Sequence, residues 1–354
     1  MKRRAICEIP DTFVKQQDSD RNNKIMTQRF DFELITPMLG GDAESWILDS
    51  KNPVRGSSIK GQLRFWWRTM QDESDVKSLL FKENQRWGGK ISEESKQGTI
   101  KSPISIAILT QDNIKTEIIQ TNTKGNALGS NCIPNYVLFP VTSKVTSGET
   151  IKVISQLHFS LLISFPEKYQ QEVMDTLTLW MLFGGVGART RRGTGSLYCA
   201  ELMEPFTTKT DIKNWLNQHS SNKIQAKEYA RLTGSQLFIN DSKKESSAQS
   251  VWSSLLNGYG EYRQDRREGQ PPFMSRPGRS YWPEPDAIRA ITRQSSASHE
   301  NPVNAENWFP RAAFGLPILT KFSTSGDPTK GQVIHLEPDM ADRDKSERYP
   351  SPMI

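Results

Sequence analysis

Apolar and polar positions alternate clearly near the start of the chain. Phe30, Phe32 and Leu34 are separated by polar residues, which predicts a half-buried β-strand over residues 28–38. A similar alternation predicts a second strand over residues 151–165, with His158 on its solvent-facing side and therefore without a catalytic role. Shorter apolar runs predict further strands at residues 100–109, 136–141, 237–239, 312–322 and 333–336.

Helical spacing appears in residues 54–70, where apolar residues recur at steps of three and four. Ser57 or Ser58 is expected to cap the start of this helix. Trp66 and Trp67 are interpreted mainly as core residues of its apolar face. Further helices are predicted at residues 169–183, 247–267 and 286–294, and residues 205–225 are interpreted as a short polar helix and a linker.

A row of cations lies along one face of the first predicted helix. Lys60, Arg64 and Arg68 recur every four residues, and no acidic residue interrupts the segment. Like charges at this spacing repel by a few tenths of a kcal/mol per pair. The row therefore suggests a helix that offers charge to an anionic partner. Two alternatives stay open, namely a solvated helix face and, for Arg68, an ion pair with Asp72.

A glycine- and arginine-rich segment occupies residues 183–199. Glycines permit positive φ angles and close backbone approach, and unpaired N–H groups of such a loop can face an anion. Arginine adds bidentate recognition of phosphate. The spacing matches neither a Walker loop nor a dinucleotide-binding fingerprint. A flexible surface turn is the alternative. The segment contains Gly184, Gly185, Gly187, Arg189, Arg191, Arg192, Gly193 and Gly195.

Bulk composition excludes several classes of protein. A net charge of +6 over 354 residues is a moderate bias towards anionic partners. No apolar run is long enough to predict a membrane span. Three widely separated cysteines argue against a disulfide framework, which favours a cytoplasmic location. Cysteines and histidines show no metal-binding spacing, and we expect neither a metal nor any other cofactor.

Polar segments divide the chain. Residues 71–99 are interpreted as an exposed insertion and residues 112–131 as a loop. Residues 1–26 are expected to form a mobile N-terminal arm. The sequence turns apolar over residues 349–354, so we expect the C-terminus to be either truncated or completed by a partner.

Four sequence blocks carry a resemblance to a known family. They are P-V-R-G-S-S-I-K-G-x-L-R-F-W-W-R after a Gly-Gly loop, F-G-G-V-G-A-R-T-R-R-G-x-G-S-L, G-R-S-Y-W-P-E-P-D-A-I-R and A-A-F-G-L-P-I. Together they resemble the RAMP superfamily of CRISPR systems. The last two blocks are similar to the family of first subunits of the Cmr complex, the type III-B effector.

The resemblance implies an α+β fold of two ferredoxin-like (RRM-like) halves. We place the first half at residues 27–204, ending in the glycine-rich loop, and the second, either truncated or completed by a partner, at residues 205–354. Family members bind guide RNA, near its 3′ end for this type of subunit, and target RNA. They do so beside other RAMP subunits of a multi-subunit complex, with no role for a membrane.

Cations and aromatic side chains supply the candidate RNA contacts. Cations hold phosphates and aromatic rings stack on bases. Tyr281 and Trp282 have the alternative of packing between the two halves. The predicted contacts are Arg55, Lys60, Arg64, Arg189, Arg191, Arg192, Arg279, Tyr281 and Trp282.

We expect a non-catalytic subunit, with two alternatives. Some RAMP relatives cleave RNA with a histidine, but no histidine precedes His158 here. Other relatives use an aspartate between the first strand and the first helix, where Asp42 and Asp49 lie, and Asp49 is the candidate for an endoribonuclease. The second alternative is a purely structural capping subunit that does not touch RNA.

Overall fold

The computed structural model divides into two compact units, residues 1–253 and 254–354. It describes residues 24–42, 47–49, 51–90, 99–121, 127–128, 133–138, 150–220, 229–239, 247–264, 280, 282–294, 309–314, 318–322 and 331–336.

The first unit is built on an antiparallel sheet whose central strand is long and apolar. Strand β1 spans Ile25–Leu34, β2 Met38–Leu39, β5 Ser105–Ile118, β8 Lys152–Pro166 and β9 Leu197–Tyr198. Strand β8 pairs with β1 and β2 on one side and with β5 on the other, and β9 pairs with β1. The sheet order is therefore β9–β1–β8–β5. The predicted strand alternation is confirmed, since Phe30, Phe32 and Leu34 all face the core.

Two helices cover the apolar face of this sheet. Helix α1 spans Gly56–Thr69 and α4 spans Gln170–Phe183, following a 3-10 turn at Glu167–Tyr169. Phe32 stacks on Phe159 of β8 and meets the edge of Trp180 of α4. The order of these main elements along the chain is β1–α1–β5–β8–α4–β9. Prediction of an α+β fold is thus confirmed.

The first polar segment does not form an exposed insertion. Residues Val76–Trp87 form helix α2, which begins where Asp75 accepts a hydrogen bond from the N–H of Ser78 at 2.9 Å. The buried side chains of α2, among them Leu79 and Trp87, join the core of the first unit. The prediction of an exposed insertion is wrong because the few apolar residues of this segment are separated by charged ones and give no clear periodic pattern. Their burial depends on packing against α1.

The second polar segment also contains more regular structure than predicted. Strand β5 continues to Ile118, with irregular register near Thr110 and Lys115. Pairing with β8 extends the strand beyond its apolar part. Between these elements lie two short hairpins, β3 (Gly89–Lys90) with β4 (Thr99–Ile100) and β6 (Gln120–Thr121) with β7 (Ala127–Leu128), and helix α3 (Asn135–Leu138).

Two further helices complete the packing of the first unit. Helix α5 spans Ala200–Met203 and α6 spans Lys209–Ser220. Leu202 and Leu216 join the same core as the sheet. The predicted boundary at residues 204/205 therefore falls inside this compact unit, and the division into two ferredoxin-like halves stays a prediction.

The C-terminal elements are a helix pair and a hairpin. Helix α7 spans Ala248–Gln264 and α8 spans Glu284–Thr292. The predicted strand at residues 312–322 is a 3-10 turn at Pro310–Phe314 followed by β10 (Ile318–Lys321), which pairs with β11 (Val333–Leu336). Within the second unit, the buried Glu284 carboxylate accepts hydrogen bonds from the Arg311 backbone and guanidinium.

Residues 237–239 are not a strand. Strand β1 begins inside the predicted N-terminal arm, whose first 23 residues lie outside the described part of the chain, as do residues 349–354. No helix among the described residues is both long and apolar enough to cross a membrane.

Candidate functional site

The glycine-rich loop between α4 and β9 is packed against the rest of the first unit. A Cβ on Gly187, which has φ +81°, would lie 2.6 Å from the carbonyl oxygen of Leu39. A Cβ on Gly195, which has φ +66°, would overlap the backbone of Val186. Glycine is therefore required at both positions for close approach and for the left-handed backbone. The alternative of a flexible surface turn is wrong.

Backbone N–H groups of this loop bond inside the protein. Val186 donates to the carbonyl of Gly195 at 2.9 Å, Ala188 to Leu39 at 2.6 Å, and Gly195 to Pro37 at 3.0 Å. These three donors are consequently not available to an anion, contrary to the prediction of a cradle of unpaired N–H groups. The glycines serve to hold the loop against the end of β1 and the start of β2.

The arginines of the loop have different roles. Arg189 adopts φ +62° and donates from Nη2 to the backbone carbonyl of Tyr136 at 2.8 Å. The guanidinium of Arg192 lies 5.9 Å from the centre of the Tyr136 ring. Trp252 donates from Nε1 to the Arg192 carbonyl at 2.6 Å. Sequence reasoning missed Tyr136, because it lies 53 residues before Arg189 and no local pattern connects them.

Arg191 and Arg192 occupy one short 3-10 turn, Thr190–Arg192. Burial lowers the pKa of Arg191, and the neighbouring positive charge of Arg192 lowers it further. Arginine keeps its charge in proteins despite such a shift. The loop therefore holds two adjacent cations against their mutual repulsion.

Two cations of helix α1 already have an anionic partner. Nε of Arg64 lies 2.5 Å from Oε1 of Glu83, and Nη1 of Arg68 lies 3.1 Å from both carboxylate oxygens. The interpretation that the helix charges lack compensation is thus wrong for these two residues. The proposed Arg68–Asp72 pair is also wrong, since Asp72 lies 3.7 Å from Arg231 instead.

Lys60, the third cation of the row, lies one turn before Arg64. Burial lowers the pKa of Lys60, and the positive charge of Arg64 lowers it further. Lys60 therefore adds to the positive charge of α1 next to the Arg64–Glu83 pair.

Arg55 stands at the start of α1 between two carboxylates. Its Nη2 lies 3.0 Å from Asp42 and 3.1 Å from Asp49. The hydrogen bond to Asp42, and to a smaller extent that to Asp49, raises the pKa of Arg55. Backbone N–H groups of Asn52 and Lys51 also bond to Asp49. Arg55, rather than Ser57 or Ser58, occupies the N-cap position, and it makes no side-chain capping bond.

Helix α1 and the glycine-rich loop are in direct contact. Trp180 donates from Nε1 to Gln62 of α1 at 2.7 Å and to the Gly185 carbonyl at 3.1 Å. A Cβ on Gly184 would lie 2.7 Å from Nε1 of Trp66. Trp66 and Trp67 are both buried, so their assignment to the core is confirmed.

The remaining candidates belong to the second unit. Trp282 donates from Nε1 to the Tyr262 carbonyl at 2.9 Å, and the two rings meet edge to face with centres 5.3 Å apart. Arg279 and Tyr281 lie outside the described residues. Within the described ranges, no cluster of three or more His, Cys, Asp or Glu side chains has the arrangement of a metal site.

Comparison with known proteins found one family model and several solved structures that are similar to this chain. Residues 31–198 match the RAMP superfamily. Cmr1 from Pyrococcus furiosus in its apo form is similar in structure, with 18% identity and a TM-score of 0.45, over 82% of this chain and 82% of that chain. A chain of the type III-B Cmr-beta complex bound to cognate target RNA is similar with 16% identity and a TM-score of 0.38, over 66% of this chain and 73% of that chain. No curated protein matches this chain.

Proposed function

We propose, from the match of residues 31–198 to the RAMP superfamily, that the chain is a non-catalytic RNA-binding subunit of a type III-B CRISPR (Cmr) effector complex. It binds guide RNA near its 3′ end, target RNA or both, beside other RAMP subunits. The four sequence blocks support this assignment. The sheet order β9–β1–β8–β5 supports one ferredoxin-like half. The second such half and the cytoplasmic location stay predictions.

The adjacent cations Arg191 and Arg192 carry the proposal. The packed glycines flank the turn that bears these residues, and burial together with the positive charge of Arg192 lowers the pKa of Arg191. A phosphate group bound beside them relieves this repulsion and accepts charge-assisted hydrogen bonds. Lys60 of α1 lies in the same compact unit as the loop and adds to its positive charge.

Arg55 and Arg64 have a weaker claim to direct RNA contact. Each is engaged by carboxylates of the chain itself, so a phosphate must compete with Asp42 and Asp49 or with Glu83. Arg189 supports the loop through its bond to Tyr136. The phosphate contacts are assigned first to Arg191 and Arg192, because these two cations share one short turn of the loop.

The salt dependence of RNA binding tests this assignment. The full chain and its Arg191→Ala/Arg192→Ala variant are titrated with a labelled single-stranded RNA at several salt concentrations. Loss of two phosphate contacts lowers affinity and reduces the slope of log K against log salt by about 1.4, since each contact to a single strand contributes about 0.7. Arg29→Ala is the matched control, because this exposed arginine of β1 is not among the predicted RNA contacts, and it leaves the slope nearly unchanged. Equal affinity and slope for the double variant and the unmodified chain would support the structural cap instead.

A further inference from the structure

Helix α2 presents apolar side chains beside a surface cavity. Val76 and Leu80 lie one turn apart, are 41% and 49% exposed, and both line the cavity. A single exposed leucine is common on protein surfaces, whereas apolar residues grouped around a concavity mark interaction sites. We call Val76, Leu80, Phe65 and Arg68 the α2 docking face.

The cavity is small but roomy enough to take one bulky side chain. Its volume is about 290 Å³, at the lower edge of the range of small-molecule sites. Phe65 of α1, Leu79 of α2 and Tyr229 provide apolar walls. Tyr229 is anchored because its hydroxyl donates to the Glu73 carbonyl at 2.8 Å. The concavity therefore has fixed walls on both sides.

One wall of the cavity carries surplus positive charge. Arg68 and Glu83 line it, and Glu83 also binds Arg64, so that two cations share one carboxylate. Arg68 is 38% exposed, whereas the Glu83 side chain is 2% exposed. An incoming carboxylate can therefore reach Arg68 without meeting an exposed anion of this group, and Arg–carboxylate pairs are strong and directional.

We propose that the α2 docking face binds a segment of a partner protein that inserts one bulky apolar side chain into the cavity and places an aspartate or glutamate against Arg68. RNA fits this face less well, because binding a nucleic-acid strand requires several cations to neutralise its phosphates. The Arg64, Arg68 and Glu83 group offers only one surplus positive charge, and it lies among apolar side chains. The proposal rests on the proposed function only in that the partner is another subunit of the effector complex. Interface anchors of this kind dominate the binding energy of many complexes.

Photo-crosslinking tests the partner's chemistry. The photoreactive residue p-benzoylphenylalanine replaces Leu80 in the full chain, which is assembled with guide RNA and the remaining subunits of the complex and then irradiated. We expect a crosslink to a protein subunit, at an apolar residue within one helical turn of an aspartate or glutamate. Phe81 is the matched control position, since it is 50% exposed on the same helix but does not line the cavity. Crosslinks to RNA, to a second copy of this chain, or identical products from positions 80 and 81 would overturn the proposal, as would the absence of any product.

Substitution separates this proposal from the RNA-binding function. Leu80→Asp and Arg68→Gln are expected to weaken recruitment of the labelled chain into the complex by at least about tenfold, while Phe81→Asp leaves it unchanged. RNA affinity of the isolated chain is expected to be equal in all three variants. Equal recruitment of the three variants would refute the docking face, whereas failure of the unmodified chain to bind RNA would refute only the proposed function.

Discussion

Nε of Arg64 lies 2.5 Å from Oε1 of Glu83, although the two residues belong to different helices. Arg68 binds the same carboxylate one turn further along α1. From sequence, the row of cations suggests binding of an external anion. In the fold, two of these cations bind an anion of the chain itself, the Glu83 carboxylate. This pairing also joins α1 to α2, because Glu83 is buried while both arginines reach the surface.

Replacement of this carboxylate destabilises the first unit. Glu83→Gln keeps the shape of the side chain but leaves Arg64 and Arg68 without a counter-charge. The expected loss in the free energy of unfolding is about 1–3 kcal/mol, below the value for a fully buried pair because the arginines are 31% and 38% exposed. Urea denaturation measures the loss, with Gln85→Ala on the exposed side of α2 as control. RNA affinity of the folded variant is expected not to fall, and a decrease would assign Glu83 a role in RNA binding.

Helix α2 shows where prediction from sequence reaches its limit. Strand β1 and helix α1 follow from local periodicity, because Phe30 and Trp67 sit in regular apolar patterns that meet the core directly. Glu83 sits in a charged segment, and its burial follows only from its partners on α1. A buried ion pair between two helices leaves no periodic signal in either of them.

Sequence predicts the position of the glycine-rich loop correctly. It does not predict why the loop contains glycines. Positive φ at Gly187 and Gly195 agrees with the expectation for such a loop. The neighbours that require glycine are Leu39 and Val186, and the partner of Arg189 is Tyr136. Leu39 and Tyr136 are distant in sequence, so only the folded arrangement distinguishes close packing from an anion cradle.

Alanine substitution at two glycines distinguishes the effect of loop packing on stability from the effect of helix propensity. Gly195→Ala forces a side chain into a left-handed conformation, which costs about 1–3 kcal/mol, and the overlap with Val186 adds to this loss. Gly61→Ala, on α1 with open space around it, is expected to stabilise by about 0.5–1 kcal/mol. Thermal unfolding of both variants measures the difference, and RNA binding is expected to weaken only for Gly195→Ala. Stability equal to that of the unmodified chain for Gly195→Ala would show that the loop is not packed as described.

Asp49 is expected to have no part in RNA cleavage. Its carboxylate accepts hydrogen bonds from Asn52, Arg55 and Lys51, and these partners, the Asn52 N–H first, hold the pKa of Asp49 below its usual value. The group is thus ionised and engaged. Asp49→Ala in the assembled complex is expected to leave target cleavage unchanged, as is the control Asp42→Ala, which removes the other partner of Arg55. Loss of cleavage at any site by Asp49→Ala, with RNA binding intact, would establish the ribonuclease alternative.

His219 makes the stability of the first unit depend on pH. Burial lowers the pKa of His219, but hydrogen bonds to Asp175 and to the Trp215 carbonyl, with the Asp175 charge, outweigh this effect and raise it. Because the pKa of His219 is higher in the folded state, the ion pair stabilises the fold fully at pH values below the unfolded-state pKa near 6.5. This stabilisation is lost as the pH rises through the folded-state pKa. Urea denaturation between acidic and alkaline pH should therefore show a difference between the unmodified chain and His219→Gln that is largest in acid and shrinks above neutrality. Asp175→Asn should reduce the same pH dependence, and a difference that grows with pH would contradict the pairing.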